Sequence, residues 1–229
     1  MQNHPLTIHQ KQCRIYTSGS PKYLLIQPVD EHDLEGLDNE VAEIERRTTE
    51  SFILAAFRIN DWNNELSPWE APPVFGKQSF GSGAADTLGF IETKLIPEII
   101  LRFELPENVP IVIGGYSLAG LFALWSVYNS ERFSAAAAAS PSVWFPEWDD
   151  YMRTHTPKAD CVYLSLGNKE EKTKNKVMAA VGERIREQYE LIKDRDCTLE
   201  WNEGSHFKEP DIRTAKAFAW CVEQLEKTK

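Results

Sequence analysis

The sequence has no excess of positive charge. Its 25 Lys and Arg face 35 Asp and Glu, for a formal net charge of −10. Such a surface repels nucleic-acid phosphates and anionic lipid, which argues against partners of either kind. It also has no long apolar run, and no window approaches the length of a bilayer span. The start, "MQNHPLTIHQKQ", lacks a basic segment followed by an apolar one, so no export signal is read there. The four cysteines, Cys13, Cys161, Cys197 and Cys221, lie far apart and form no CxxC pair. Free thiols in a reducing compartment are the simpler reading, so a cytoplasmic location is expected; the spacing leaves a Cys161–Cys197 bridge open. There is no internal repeat and no low-complexity linker.

What is present is apolar residue in quantity, 42% of the chain, enough for one sizeable core in 229 residues. Strand-like runs alternate with helix-like ones. "KYLLIQP" (22–28) precedes a run with Leu34, Leu37, Val41 and Ile44 on one helix face. "SFILAAFRI" (51–59) is the next strand. Helical spacing returns at Leu88, Ile91, Leu95 and Ile99, with Pro97 expected to kink or break it. "PIVIGG" leads through a turn into "LAGLFALWSVY". "FSAAAAASPSVWF" (133–145) is read as a buried strand and "CVYLSLG" (161–167) as another. A helix follows with Val177, Val181, Ile185 and Ile192 on one face. "CTLEWNEG" (197–204) is the last strand, and 211–226 the last helix, entered at Pro210. The alternation predicts an α/β fold: a mostly parallel sheet with helices on both faces, in a single domain spanning 1–229.

One tract does not fit the alternation. Residues 60–85, "NDWNNELSPWEAPPVFGKQSFGSGAA", are rich in Asn, Pro, Gly and Ser yet carry two Trp and two Phe. A loop that long in a compact domain is usually functional or disordered, and the aromatics argue against plain disorder. It is expected to form part of an active-site rim.

In open α/β sheets ligands bind beyond the carboxyl ends of the strands. Ser117 follows "IVIGGY", the acids Glu170 and Glu171 follow "YLSLGNK", and His206 follows "LEWNEGS". The order serine, acid, histidine is that of the α/β-hydrolase fold. A serine hydroxyl needs an adjacent base to act as a nucleophile, histidine suits that task near neutral pH, and a carboxylate holds its tautomer. The neighbours of Ser117 are small: Gly115, Ala119 and Gly120. Position +2 is alanine where G-x-S-x-G has glycine. The helix opening at Leu118 points its N-terminus at a developing oxyanion. His155, in contrast, precedes a strand and is expected at the far end of the sheet. Glu170 stands at G-x-x-E from Gly167 and is favoured over Glu171 for the acid. The rest of "NKEEKTKNK" reads as a solvated charge run.

"GGYSLAGLFALW", "AAASPSVWF", "YLSLGNKEE" and "EGSHF" together resemble the esterase D-like branch of the α/β-hydrolases, which includes esterases of trilactone siderophores. The resemblance runs from about Tyr23 to the C-terminus. It implies serine hydrolysis of carboxylic esters or thioesters on a small-molecule substrate, without metal or organic cofactor. It carries over Ser117 as nucleophile, His206 as base and Glu170 as acid, with the Leu118 amide in the oxyanion hole. The second amide comes from the loop after "YLLIQP". Relatives often have His-Gly or Asp-Gly there; here Gln27-Pro28 stands instead, and proline has no N–H, so Val29 would be the donor. Against that pattern the N-terminus looks short, with little room for the first antiparallel strands. Acyl transfer on the same fold and a non-catalytic ligand-binding homologue are the alternatives, and homo-oligomerisation stays open.

Trp62, Trp69, Phe80 and Trp144 are candidate pocket walls, although aromatics are as often core. Arg58, at a strand end near the same rim, either meets an anionic substrate or pairs with an acid. "DEHD" (30–33) offers oxygen and nitrogen ligands. Helix capping and the helix dipole explain it more simply than a metal, since the spacing matches no ligand set.

Overall fold

The computed structural model describes residues 1–228. The chain opens with β1 (Gln2–Ile8), β2 (Lys11–Thr17), β3 (Tyr23–Val29), α1 (Glu31–Arg47) and β4 (Phe52–Arg58). Next come α2 (Trp62–Glu65), α3 (Ala84–Phe90), a π-helical turn (Ile91–Leu95), α4 (Ile96–Arg102), β5 (Ile111–Tyr116) and α5 (Leu118–Asn129). The remainder is β6 (Ala135–Ala139), α6 (Trp148–Thr154), β7 (Cys161–Gly167), α7 (Lys176–Ala179), α8 (Val181–Ile192), β8 (Asp196–Asn202) and α9 (Pro210–Lys227). The strands form one sheet in the order β1-β2-β4-β3-β5-β6-β7-β8. From β4 to β8 all neighbours are parallel.

Strands β3, β5, β6 and β7 are buried along their whole length, as a parallel sheet covered on both faces requires. One face packs on α1 and α9 through Leu25, Val29, Leu37, Ile44, Phe218 and Val222. The other carries α5, α8 and the 84–102 helix through Ile26, Ile113, Leu121, Ile185 and Ile99. At α1 the "DEHD" residues do serve as a cap. Asp30 Oδ1 accepts from the Asp33 N–H at 2.8 Å, and the Asp30 N–H donates to Asp33 Oδ2 at 3.1 Å.

Three expectations need correction or sharpening. The N-terminus does hold antiparallel strands: β1 pairs β2 from Gln2↔Thr17 to Ile8↔Lys11, and β2 pairs β4. Their turn puts His9 and Gln10 at φ 44° and 72°. That conformation is usually flagged by Asn-Gly, so His-Gln hid the hairpin. Around Pro97 the α-helical pattern is interrupted just before the proline and resumes through it: a π turn spans 91–95, with Ile96 N–H donating to Ile91 O, and α4 opens at Ile96. The run 133–145 is strand only over Ala135–Ala139; beyond it "SPSVWF" turns across the end of the sheet.

Candidate active site

Ser117 sits between the end of β5 and the start of α5 with φ 59° and ψ −119°. A non-glycine residue there is strained, and the surroundings hold it. Its N–H donates to Ala139 O at 3.1 Å, and its carbonyl accepts from Leu121 and Ser142 N–H, both at 3.0 Å. The turn needs glycine at 115, because a Cβ there would meet Ala119 Cβ at 2.6 Å. The same approach shows that alanine is tolerated at 119, where its methyl group is already accommodated.

The hydroxyl of Ser117 lies 3.0 Å from His206 Nε2. On the opposite side of the ring, His206 Nδ1 lies 2.7 Å from Glu170 Oε2. The other Glu170 oxygen accepts from Gly167 N–H at 2.7 Å, Ser140 Oγ at 2.8 Å and Arg213 Nη1 at 3.1 Å. Arg213, only 2% exposed, also donates to Tyr116 Oη and to Glu203 O. The Tyr116 hydroxyl in turn donates to His206 O at 2.6 Å. Burial, followed by the charge of Glu170, pushes the Tyr116 phenol up to about 12, so it stays a donor. Gly167 permits this packing: a Cβ there would lie 2.5 Å from Gly204 O and 2.9 Å from Glu170 Oε1.

The two adjacent acids part company. Glu170 is 9% exposed and turned to His206. Glu171 pairs with both terminal nitrogens of Arg186 at 3.0 and 3.2 Å, and that bond holds its carboxyl below the usual range. The one-residue step on a short helical turn sends the second side chain away from the site.

Sequence reasoning missed four contributors: Arg213, Ser140, Tyr116 and Ser142. Ser142, 1% exposed, sets its hydroxyl 3.3 Å from that of Ser117. The "SPS" motif held two of these residues, but nothing in it told their roles apart. Arg213 read as one polar position on an amphipathic helix, since only the fold turns it inward.

Other candidates fall elsewhere. Val29 is not turned to the elbow. Within a strand the N–H and C=O of one residue share a side, and the sides alternate. Leu24 N–H donates to Pro110 O on the β5 side, whereas Val29 O accepts from Ile59 N–H on the β4 side. The Val29 N–H therefore faces β4. Pro28 faces β5 without an N–H, and the β3–β5 ladder ends at Ile26↔Ile113. Leu118, as the first residue of α5, has an N–H with no acceptor inside its helix. Arg58 pairs with Glu31 at 2.5 Å and Gln12 at 3.4 Å, beside a cavity with Cys13 and Arg14. Trp144 lines a cavity of about 230 Å³ together with His206, Met178 and Val181. Trp69 donates to Pro146 O at 2.9 Å and packs on Phe145 and Tyr151; Trp62 packs half-buried against the core. Phe80 is buried against Phe145 and Trp144. His155 precedes β7 and stacks on Tyr151.

The strand order and the elbow are those of an α/β-hydrolase fold, and solved structures agree. A siderophore hydrolase, EstA of Aspergillus nidulans, superposes with a TM-score of 0.74 at 18% identity, covering 98% of this chain and 94% of its own. An IroE-like serine hydrolase from Shewanella oneidensis gives 0.75 at 16% identity, over 96% and 79%. The enterobactin esterase FES of Shigella flexneri gives 0.70 at 12% identity, over 98% and 59%. No curated protein matches the sequence. The family described as "Putative esterase" matches residues 42–207, a span holding Ser117, Glu170 and His206. The chain belongs to that family, and its class is that of an ester hydrolase.

Proposed function

We propose that the protein cleaves carboxylic esters through an acyl-enzyme on Ser117. The observation that carries this reading is the continuous contact Ser117 Oγ–His206 Nε2–Nδ1–Glu170 Oε2, at 3.0 and 2.7 Å. Glu170 holds the His206 ring with Nδ1 protonated and Nε2 free to accept. As Ser117 Oγ attacks the ester carbon, its proton passes to Nε2. The carbonyl oxygen becomes an oxyanion against the Leu118 N–H at the head of α5. The intermediate collapses, the alcohol leaves with the proton from His206, and the acyl group stays on Ser117. Water then gives a proton to His206 and adds to the acyl carbon; as the C–Oγ bond breaks, His206 returns the proton to Ser117 Oγ and the acid is released. Thioesters fit the same steps.

The 60–85 tract is assigned to the rim of this site. Supporting that, Asn175 Nδ2, in the loop after Glu170, donates to Val74 O at 2.7 Å, and Phe75 packs on Trp144. The siderophore hydrolases among the similar structures make siderophore esters one arm of a substrate panel, beside 4-nitrophenyl esters of increasing chain length.

A fluorophosphonate probe tests the nucleophile. Labelling of the wild type with none on Ser117→Ala supports the reading. No labelling of the intact protein, beside a reactive control hydrolase, overturns it, and equal labelling of the variant moves the site elsewhere.

A further inference from the structure

The "SPS" segment after β6 carries a hydroxyl that the steps above do not use. Ser140 sits at φ 42°, a strained conformation for a residue with a side chain. Its hydroxyl donates to Glu170 Oε1 at 2.8 Å, so one serine of the motif serves the acid. The other, Ser142, is 1% exposed and lies at the opposite end of the triad. Among the described residues its hydroxyl has one partner, Ser117 Oγ at 3.3 Å.

The Ser142 backbone does not need that hydroxyl. Its N–H donates to Ser117 O at 3.0 Å, and its carbonyl accepts from Phe145 N–H at 2.9 Å. Any residue but proline makes both bonds, so the turn gives no reason to bury a hydroxyl there, at a cost in lost hydration. The loop is also held tightly against the elbow. A Cβ at Gly120, in the first turn of α5, would lie 3.1 Å from Ala139 O and 3.2 Å from Pro141 Cα. The hydroxyl is thus in place before the reaction begins.

The protons of the triad fix the direction of the Ser117–Ser142 bond. Glu170 accepts from His206 Nδ1, which leaves Nε2 an acceptor. The Ser117 proton is committed to Nε2 at 3.0 Å. Ser142 therefore donates and Ser117 Oγ accepts. The resting bond is long, since two hydroxyls usually stand about 2.7–2.8 Å apart. As Ser117 gives up its proton, Oγ gains negative charge. A hydroxyl donating to a charged oxygen closes to about 2.5–2.7 Å and strengthens roughly twofold. The bond is then stronger in the transition state than in the resting enzyme, which is the condition for it to speed the reaction.

We propose that Ser142 is a fourth catalytic residue, whose hydroxyl donates to Ser117 Oγ and stabilises the charge there whenever the Oγ–C bond forms or breaks. Ser142 keeps its own proton throughout; the proton of Ser117 passes to His206 and returns from it. Oγ is the attacking atom in acylation and the leaving atom in deacylation, so both steps gain. The assignment rests on the ester-hydrolase reading above.

Steady-state hydrolysis of 4-nitrophenyl butyrate by Ser142→Ala and Ser142→Cys tests it. Cysteine keeps the side-chain volume but is only a weak donor. Both variants are expected to lose roughly ten- to a hundredfold in kcat, the worth of a hydrogen bond to a charged group. KM should stay near that of the wild type, because acylation and deacylation slow together. The rate of fluorophosphonate labelling, which needs only the attack by Oγ, should fall by a similar factor. The midpoint of the pH profile of kcat/KM should not move, since the contact of His206 with Glu170 is untouched. Rates are taken per site titrated with the probe, so unfolded enzyme does not count. Wild-type kcat in either variant overturns the proposal, because a donor is then not needed. A higher KM at unchanged kcat also overturns it, because the hydroxyl then binds substrate. A shifted pH midpoint overturns it too, because the loss then comes from a displaced His206. If the wild type is neither labelled nor active, the hydrolase reading fails and Ser142 with it. If the wild type is active and the Ser142 variants match it, only the role of Ser142 fails.

Discussion

Two places along the carboxyl edge of the central sheet each bury a carboxylate, and they treat it differently. At the end of β7, Glu170 uses both oxygens: one takes Gly167 N–H, Ser140 and Arg213, the other faces His206. Beside the end of β3, Glu40 of α1 meets Gln27 at 3.4 Å, and two oxygens of the pair stay unbonded. Pro28 adds a missing N–H to the same corner, and the Val29 N–H is turned to β4. A fully bonded buried acid is fixed in direction, which is what a group orienting a histidine must be. An acid with an empty lone pair costs stability unless it stays protonated or meets a cation. The Glu170 carboxylate is thus fixed in direction before substrate arrives, whereas the Glu40 carboxyl is held by one long contact and by burial that keeps its proton on.

The largest effects should come from the finished end. Ser117→Ala is expected to abolish probe labelling and to lower kcat by roughly a millionfold, measured by steady-state hydrolysis of a 4-nitrophenyl ester. Glu170→Gln should lower kcat by up to about ten-thousand-fold, because the amide favours the wrong imidazole tautomer. Glu171→Gln should stay within about twofold, since an exposed pair with Arg186 contributes little. Comparable losses in the two variants would break the contrast drawn between neighbouring acids.

The same contrast explains what could be read from the chain. The strand and helix alternation was legible because β3 to β7 are buried runs and α1 and α9 each carry apolar residues at helical spacing. That Ser117, Glu170 and His206 meet was legible because each follows a strand at a spacing the chemistry restricts. The Glu170 partner Arg213 was not, since it comes from a helix 43 residues further on and no local pattern marks an inward arginine. The Val29 amide was misjudged for a different reason. Which edge of a strand a residue's N–H faces depends on pairing register, and sequence does not display register. The β1–β2 hairpin escaped because its edge strand is largely exposed and its turn lacks the usual residues.

Arg213 gives the next prediction in size. Its guanidinium is buried against Glu170, so Arg213→Met leaves that carboxylate without its cation. Removing one partner of such a pair costs about 3–5 kcal/mol, measurable as a lower urea midpoint at unchanged slope. The double variant with Glu170→Gln should lose less than the sum of the two singles, because the second change removes the stranded charge. Strict additivity would mean that the pair does not act as a unit.

Glu40 closes the comparison from the other side, with the smallest effect. Its carboxyl is raised by burial above all, then by Asp33 and Asp211, against the lowering effect of Gln27. Asp33 itself is pushed up to about 6, again mainly by burial. Above the ordinary carboxylate range of about 4 the unfolded chain has lost these protons while the folded one still holds them. Folding then takes up protons, so stability falls as pH rises through that window. Glu40→Gln cannot ionise and should remove its share of that loss. Its melting temperature is expected to fall less between pH 5 and pH 8 than that of the wild type. An equal slope in both proteins would mean that Glu40 ionises as freely folded as unfolded, and the β3 end would then be as well satisfied as the β7 end.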